Sequence, residues 1–197
     1  MGTVKSLLLG MCVVLGACTS QTSTVQTTEK GTQWEWQNGT IVVKTPERPA
    51  GQKSVLGLTT PKLEAVRVGF VGLGMRGPGA VERFTYIPGT QVVALCDYEE
   101  ARADKCQELL KKASMPKAAV YSGDKGYEEL CKRDDIDLVY IAADWLHHFP
   151  VAKCALENGK NVAIEVPSAM NLQECWDLIN LSESTRKHCF ILENCCY

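Results

Sequence analysis

The sequence predicts an α/β domain built on a doubly wound parallel sheet. From Val66 onward, short apolar runs alternate with amphipathic stretches, as in the strand-helix units of parallel sheets. A glycine-rich turn follows the first run directly, and apolar residues between later runs recur at helical spacing. Helices therefore connect the strands, and such short connections are right-handed crossovers.

Six apolar runs fit as strands of this sheet. The predicted strands are Val66 to Val71, Gln91 to Cys96, Val120 to Tyr121, Leu138 to Ala142, Asn161 to Val166 and Cys189 to Leu192.

Two helices are predicted in detail. One runs from about His148 to Asn158 and ends at Gly159. Its inner face is Val151, Ala152, Ala155 and Leu156. In the other, Asn171 and Glu174 have the spacing of N-cap and N3 in a capping box. Its predicted buried stripe is Leu172, Cys175, Trp176 and Ile179.

Residues 1–18 have the profile of a signal peptide. Lys5 precedes an apolar run, Leu7 to Ala17, that is too short to span a bilayer. The run ends in Leu15-Gly16-Ala17-Cys18, which resembles the lipobox of bacterial lipoproteins. That resemblance implies an exported protein, lipid-anchored through Cys18 to a bacterial membrane, at the outer membrane or the periplasmic face. An ordinary cleaved signal and a buried apolar strand are the alternatives.

Two segments separate this leader from the α/β domain, which is predicted to cover residues 63–197. Residues 19–30 are rich in Thr, Ser and Gln and predict a solvated tether. Residues 34–62 contain Trp34, Trp36 and several prolines and glycines, and predict an extended arm that packs on the body. The tether and arm together make up residues 19–62.

Composition excludes some classes of partner and site. The chain has 197 residues, 45% of them hydrophobic, and a net charge of −2, which disfavours a nucleic-acid partner. Its ten cysteines include no Cys-x-x-Cys pair, so no metal site is predicted, and Cys195-Cys196 is interpreted as strand. Homo-oligomer formation is left open. The cysteines expected to act as small buried hydrophobes are Cys96, Cys106, Cys154, Cys175 and Cys189.

A dinucleotide-binding turn follows the first strand. Gly72-Leu73-Gly74-Met75-Arg76-Gly77 is a G-x-G-x-x-G, and Pro78 can occupy the first turn of the next helix. Gly72 permits the tight turn, Gly74 lets backbone N–H groups approach a pyrophosphate, and Gly77 lets the helix pack closely.

Asp97 lies 20 residues beyond Gly77 at the end of the second strand, where it would accept hydrogen bonds from the adenosine ribose. Because this carboxylate would repel a 2′-phosphate, the predicted cofactor is NAD rather than NADP. A glycine turn with a surface aspartate is the alternative. Arg76 either pairs with the pyrophosphate or is a solvated cation, and Met75 contributes mainly its backbone.

Two later motifs resemble the glucose-fructose oxidoreductase and inositol dehydrogenase superfamily. They are Asp144-Trp145-Leu146-His147-His148 and Glu165-Val166-Pro167, where the superfamily usually has T-P-N-x-x-H and E-K-P. The usual lysine is an acid/base group in the simple dehydrogenases. Valine at 166 cannot move a proton, which puts a plain alcohol dehydrogenase mechanism in doubt.

Further motifs resemble glycoside hydrolase family 109 over residues 40–197. They are the glycine turn continued to Gly79, Glu165-Val166-Pro167, Glu174-Cys175-Trp176, Arg186-Lys187-His188-Cys189 and Leu192-Glu193-Asn194-Cys195-Cys196-Tyr197. The resemblance implies these cofactor contacts: Met75 and Arg76 at the phosphates, Asp97 at the ribose, Trp145, Leu146, His147 and His148 on the nicotinamide side, Glu165 and Val166 beside the ring, and Asn194.

The same resemblance implies an NAD-dependent hydrolase that removes terminal α-N-acetylgalactosamine from glycans. Its mechanism is a transient oxidation at C3, elimination at C1, addition of water and reduction. It also implies a second α/β substrate domain that this chain lacks. A surface-anchored sugar oxidoreductase and a truncated, non-catalytic NAD-binding module are the alternatives.

Two residues are the catalytic candidates. His148 would transfer a proton or hold cofactor or sugar in place, and Tyr197 would act at the crevice or merely pack. From the residues alone, His147 is interpreted as a neighbour on the wrong face and His188 as a loop residue. Trp145 either stacks at the site or belongs to the core, and its place just after a strand favours the site.

Overall fold

The computed structural model describes residues 26–27 and 33–193. The predicted signal peptide with Cys18, and the candidate residues Asn194 and Tyr197, lie outside these ranges, as does Cys195-Cys196. By its internal contacts the chain divides into two compact units, Met1–Lys44 and Thr45–Tyr197. The predicted arm is therefore shared between the units.

The first unit contains a three-stranded antiparallel sheet. Its strands are β1 (Gln26–Thr27), β2 (Gln33–Gln37) and β3 (Thr40–Val43). Asn38 and Gly39 join β2 to β3 with positive φ angles, as the two central residues of a tight hairpin require. Trp34 and Trp36 meet edge to face, with ring centroids 6.4 Å apart.

The second unit contains the predicted six-stranded sheet. Its order is β6-β5-β4-β7-β8-β9, and every neighbouring pair is parallel. This arrangement confirms the doubly wound α/β prediction. The strands are β4 (Val66–Val71), β5 (Thr90–Asp97), β6 (Ala119–Ser122), β7 (Leu138–Ile141), β8 (Asn161–Ile164) and β9 (Cys189–Ile191).

Five helices cover the two faces of this sheet. They are α1 (Gly77–Phe84), α2 (Glu100–Lys112), α3 (Gly126–Cys131), α4 (Trp145–Glu157) and α5 (Leu172–Thr185). Helices α1 and α2 pack on one face around Phe70, and α3 to α5 pack on the other around Val139 and Ile141. Both faces are covered, so the central strands need apolar side chains in both directions, which explains the continuous apolar runs.

The helix α4 agrees with its prediction on the inner side. Its four predicted inner residues are all buried, and Gly159 follows the helix with a φ of +72°. The helix begins earlier than predicted because the Asp144 side chain accepts a hydrogen bond from Leu146 N at 3.0 Å and caps it.

The buried stripe predicted for α5 is wrong, although its cap is confirmed. Asn171 Oδ1 accepts a hydrogen bond from Glu174 N at 3.0 Å. Three of the four stripe residues are exposed, namely Leu172, Cys175 and Ile179, and Trp176 is only partly buried. The helix instead buries Leu178, Ser182 and Glu183. Counting apolar residues missed this face because two of its three members are polar.

Polar partners within the second unit make that burial possible. Ser182 Oγ donates to Lys187 O at 2.6 Å, and Gln52 Nε2 donates to Glu183 Oε2 at 2.8 Å. Arg48 forms an ion pair with the same carboxylate. The segment after Thr45 is thus held against α5 by its contacts with the buried Glu183 carboxylate.

The cysteines of the described residues are all free thiols. Cys96, Cys106 and Cys131 are buried, whereas Cys154 and Cys189 are partly buried. Cys175 is exposed, so its predicted burial is wrong, since it lies on the misassigned stripe of α5. Across residues 26–27 and 33–193, no helix is long and apolar enough to cross a membrane, and no group of three or more potential ligands could hold a metal ion.

Candidate functional site

A cleft of about 690 Å³ opens at the carboxyl ends of the parallel strands. Ligands of doubly wound sheets bind at this edge, where the strand order reverses between β4 and β7. The predicted site residues that line the cleft are Gly72, Gly74, Met75, Arg76, Asp97, Trp145, His147, His148, Glu165 and Val166.

The glycine turn is shaped by two close approaches. Gly72 has a φ of +91°, and a methyl group there would overlap the backbone of Ala142 and Ala143. A methyl group at Gly77 would overlap the carbonyl oxygen of Gly72, far inside the 3.0 Å that real Cβ atoms keep. These two glycines are required for the turn and for the approach of α1.

The second glycine, by contrast, faces open space. A methyl group at Gly74 would meet only Arg102 Nη1, at 3.6 Å. Its backbone is therefore accessible from the cleft, beside the N-terminus of α1, where Pro78 occupies the first turn as predicted. Accessible amides at a helix N-terminus suit an anionic ligand, so the turn fits the pyrophosphate of a dinucleotide.

Asp97 connects the glycine turn to the loop between β5 and α2. Its Oδ2 accepts a hydrogen bond from Leu73 N at 2.6 Å, and its Oδ1 accepts one from Glu99 N at 3.0 Å. A carboxylate has about four acceptor positions, and Arg102 Nη1 occupies a third one at 3.4 Å from Oδ1, so one remains for a ribose hydroxyl. Burial and the charge of Asp97 raise the pKa of the neighbouring Cys96 thiol to about 12, which keeps it neutral in the cleft wall.

Sequence reasoning missed several residues of this end of the cleft. Tyr98, Arg102 and Tyr127 line it, and Arg102 Nη1 lies 3.4 Å from Asp97 Oδ1. A signal existed for the first two, because the residues just after a ribose-binding acid lie near the adenosine ribose in this fold. Tyr127 belongs to α3, which the sequence analysis did not identify.

Glu165 follows β8 and is held from two sides. Tyr140 Oη donates to Glu165 Oε1 at 2.8 Å, and Arg76 Nη2 lies 3.7 Å from Glu165 Oε2. Burial and the Glu165 carboxylate raise the pKa of Tyr140 to about 12, so the phenol remains a donor. Arg76 thus has a partner across the cleft, which neither of its predicted roles included.

His148 is buried, and both of its ring nitrogens face backbone carbonyl groups. Nδ1 lies 2.6 Å from Pro167 O and Nε2 lies 2.9 Å from Ala143 O. Because a carbonyl oxygen only accepts, both nitrogens must carry a hydrogen for both contacts to be hydrogen bonds. The ring thereby joins the loop after β7 to the loop after β8, whose Val166-Pro167 peptide bond is cis.

Three residues around the start of α4 line the cleft, namely Asp144, Trp145 and His147. Trp145 is 61% exposed and lines the cleft, so it does not belong to the core. His147 also lines the cleft, and its Nδ1 lies 2.6 Å from Asp144 Oδ2. Burial raises the pKa of Asp144, but the His147 side chain and the backbone N–H groups of Leu146 and His147 together outweigh it and hold that pKa below its ordinary value.

Among residues 33–193, two predicted cofactor residues do not line the cleft. Gly77 lies behind the turn, where its contribution is close packing. Leu146 is 72% exposed, and its backbone N–H donates to the Asp144 carboxylate that caps α4. Met75 is 95% exposed at the mouth of the cleft, consistent with a contact through its backbone rather than its side chain.

The fold and the cleft together define a dinucleotide-binding Rossmann domain. Residues 66–192 match the profile of the oxidoreductase family with an NAD-binding Rossmann fold. The chain therefore belongs to this oxidoreductase family, and its cofactor is NAD, as predicted. The motif resemblance to the glucose-fructose oxidoreductase and inositol dehydrogenase superfamily is confirmed.

Similar curated proteins carry the name that the motifs predict. The chain is 81% identical over 198 residues to glycosyl hydrolase family 109 protein 4 of Phocaeicola vulgatus, and 80% identical over 199 residues to protein 5 of that organism. These alignments cover 100% of this chain and 38% of each relative. The chain thus corresponds to the N-terminal part of longer proteins.

Solved structures with the same fold bind nicotinamide dinucleotides. One is myo-inositol dehydrogenase from Lactobacillus casei, in complex with NAD(H) and myo-inositol, at 25% identity and a TM-score of 0.54 over 61% of this chain and 34% of that one. Another is biliverdin reductase from Synechocystis sp. PCC 6803, in complex with biliverdin and NADP⁺, at 27% identity and a TM-score of 0.55 over 64% of this chain and 37% of that one.

Proposed function

We propose that this chain is the NAD-binding portion of a hydrolase that removes terminal α-N-acetylgalactosamine from glycans. The observation that supports it most is the pairing of an NAD cleft with Glu165-Val166 beside it, in a chain 81% identical to a family 109 protein. Since the chain spans 38% of that relative, the groups that grip the sugar are expected in a further α/β domain.

The bound dinucleotide would oxidise C3 of the sugar reversibly, which acidifies the C2 proton and permits elimination at C1. The residues of this chain then have three tasks. The glycine turn and Asp97 hold the cofactor, Trp145 lines the cleft, and Glu165 presents a carboxylate fixed by Tyr140. Val166 contributes an apolar wall, because its side chain cannot carry a proton.

In this proposal, His148 does not transfer a proton. Both of its ring nitrogens contact backbone carbonyl groups, so neither is directed at a ligand. Tyr197, the other candidate of the sequence analysis, therefore takes the role of the base at C2. Tyr197 follows β9 in the sequence, and this fold binds its ligands at the carboxyl ends of its strands.

A chimera tests the proposed function. Residues 63–197 of this chain would replace the corresponding residues of the full-length family 109 protein 4, with the unchanged relative as control. The expected result is release of an aryl leaving group from an α-N-acetylgalactosaminide, with solvent deuterium incorporated at C2 and no net NADH. Net NADH accumulation would favour a sugar oxidoreductase instead. Binding of NAD without any cleavage, beside an active control, would contradict the proposal.

The proposal also places the protein at a membrane surface through a lipid on Cys18. The lipobox-like sequence before this cysteine supports it, because multiple acyl chains anchor a protein without a spanning helix. In cells that express the chain, radiolabelled palmitate should be incorporated in the wild type and not in Cys18→Ser. Equal labelling of the two would contradict the anchor.

A further inference from the structure

The first turn of α2, just after β5, holds an arginine between two carboxylates. Arg102 Nη2 lies 2.9 Å from Glu99 Oε1, and Arg102 Nη1 lies 3.4 Å from Asp97 Oδ1. The Asp97 side chain is 5% exposed, whereas that of Glu99 is 57% exposed. The guanidinium is therefore bound from the inside by a buried acid and from the outside by an exposed one.

Arg102 also reaches the cleft. It lines the same wall as Asp97, and its Nη1 would lie 3.6 Å from a methyl group on Gly74. The cation thus stands between the second glycine of the turn and the predicted ribose acceptor. In this fold, an arginine in that position can accommodate the 2′-phosphate that distinguishes NADP from NAD.

The charges around Arg102 decide whether it can bind the 2′-phosphate of NADP. A phosphate monoester carries a charge of about −1.5 to −2 at neutral pH. Asp97 and Arg102 alone would be neutral together, but Glu99 adds a second negative charge and engages the guanidinium. We propose that Glu99 sets the preference of this site for NAD over NADP, by holding Arg102 and keeping the surroundings of Asp97 negative.

Glu99 can be changed without removing a helix cap. It occupies the N-cap position of α2, but its side chain makes no capping hydrogen bond there. Its backbone N–H, which donates to Asp97, is unaffected by substitution. The proposal concerns NAD binding alone and does not depend on the proposed glycosidase activity.

The test is a comparison of dissociation constants for NAD and NADP, measured by calorimetry on the wild-type chain and on three variants. Glu99→Gln removes the charge and keeps the shape. Glu99→Gln combined with Arg102→Ala removes the cation as well. Glu108→Gln is the matched control, because Glu108 also lies on α2 and pairs with Lys111, three residues later, at 3.9 Å.

We expect Glu99→Gln to strengthen NADP binding about tenfold, the effect of one unit charge near a protein surface, and to change NAD binding less than about threefold. The double variant should lose the gain, and the control should match the wild type. Three results would overturn the proposal: equal changes for NAD and NADP, no gain for NADP, or a gain that persists without Arg102.

Discussion

Replacing His148 by phenylalanine separates a structural role from a proton-transfer role. Phenylalanine fills a similar volume but cannot donate to Ala143 O or Pro167 O, which the imidazole contacts at 2.9 and 2.6 Å. A buried carbonyl that loses its donor costs about 1–3 kcal/mol, and a neutral imidazole donates to one of the two carbonyls at a time, so the free energy of unfolding should fall by about 1–3 kcal/mol. This is a large share of the roughly 5–15 kcal/mol that a domain has.

The assay is urea unfolding followed by circular dichroism, with a parallel NAD titration. His188→Phe is the matched control, because His188 precedes β9 outside the cleft lining and its hydrogen bond to Asn161 Oδ1 comes from its backbone N–H. NAD affinity should fall in His148→Phe, since the loops after β7 and β8 both border the cleft. Wild-type stability and affinity in His148→Phe would refute the argument and restore the histidine as a candidate proton carrier.

Three further predictions follow from named contacts. Gly77→Ala forces a methyl group onto the carbonyl of Gly72 and should weaken NAD binding by about 5- to 150-fold, for about 1–3 kcal/mol of strain; an unchanged calorimetric affinity would contradict it. Tyr140→Phe leaves Glu165 without its donor and should lower the free energy of unfolding in urea by about 1.5–3 kcal/mol, whereas no change would show that the phenol is dispensable. The hydrogen bond from Arg67 lowers the pKa of Asp137, so its stabilisation is present above the ordinary carboxyl range and is lost as pH falls through the lowered pKa. Asp137→Asn should therefore flatten the fall of Tm below about pH 4, and identical acid slopes would argue against this pair.

The fold could be predicted because its signals are local in the sequence. Each central strand is buried on both faces and must be an apolar run, and the glycine turn must follow the first strand at a fixed distance from Asp97. The predicted buried stripe of α5 was wrong because the contacts that bury the actual face are not local in the sequence. Glu183 is buried because Arg48 and Gln52 contact it, and no periodicity in the helix itself reports partners more than 120 residues away.

The sequence predicted residues that face the cleft individually. It did not predict the contacts by which one residue positions another. Asp97 could be named from motif spacing, and Glu165 from the resemblance of its motif to that of a known family. The contact of Tyr140 with Glu165 joins residues 25 positions apart, and that of His148 with Pro167 joins residues 19 apart. Such pairs depend on the register between strands and on loop conformation, which a single sequence does not specify.

The buried carboxylate of α5 bears on how this protein can be shortened. A chain that began at residue 63 would keep every strand of the parallel sheet and all five helices, yet it would lose the guanidinium of Arg48 and the amide of Gln52 that meet Glu183. An acid left alone in the interior must take up a proton or draw its helix out to water. The smallest piece that folds as the intact protein does should therefore start at or before Thr45, well ahead of the first strand of the parallel sheet.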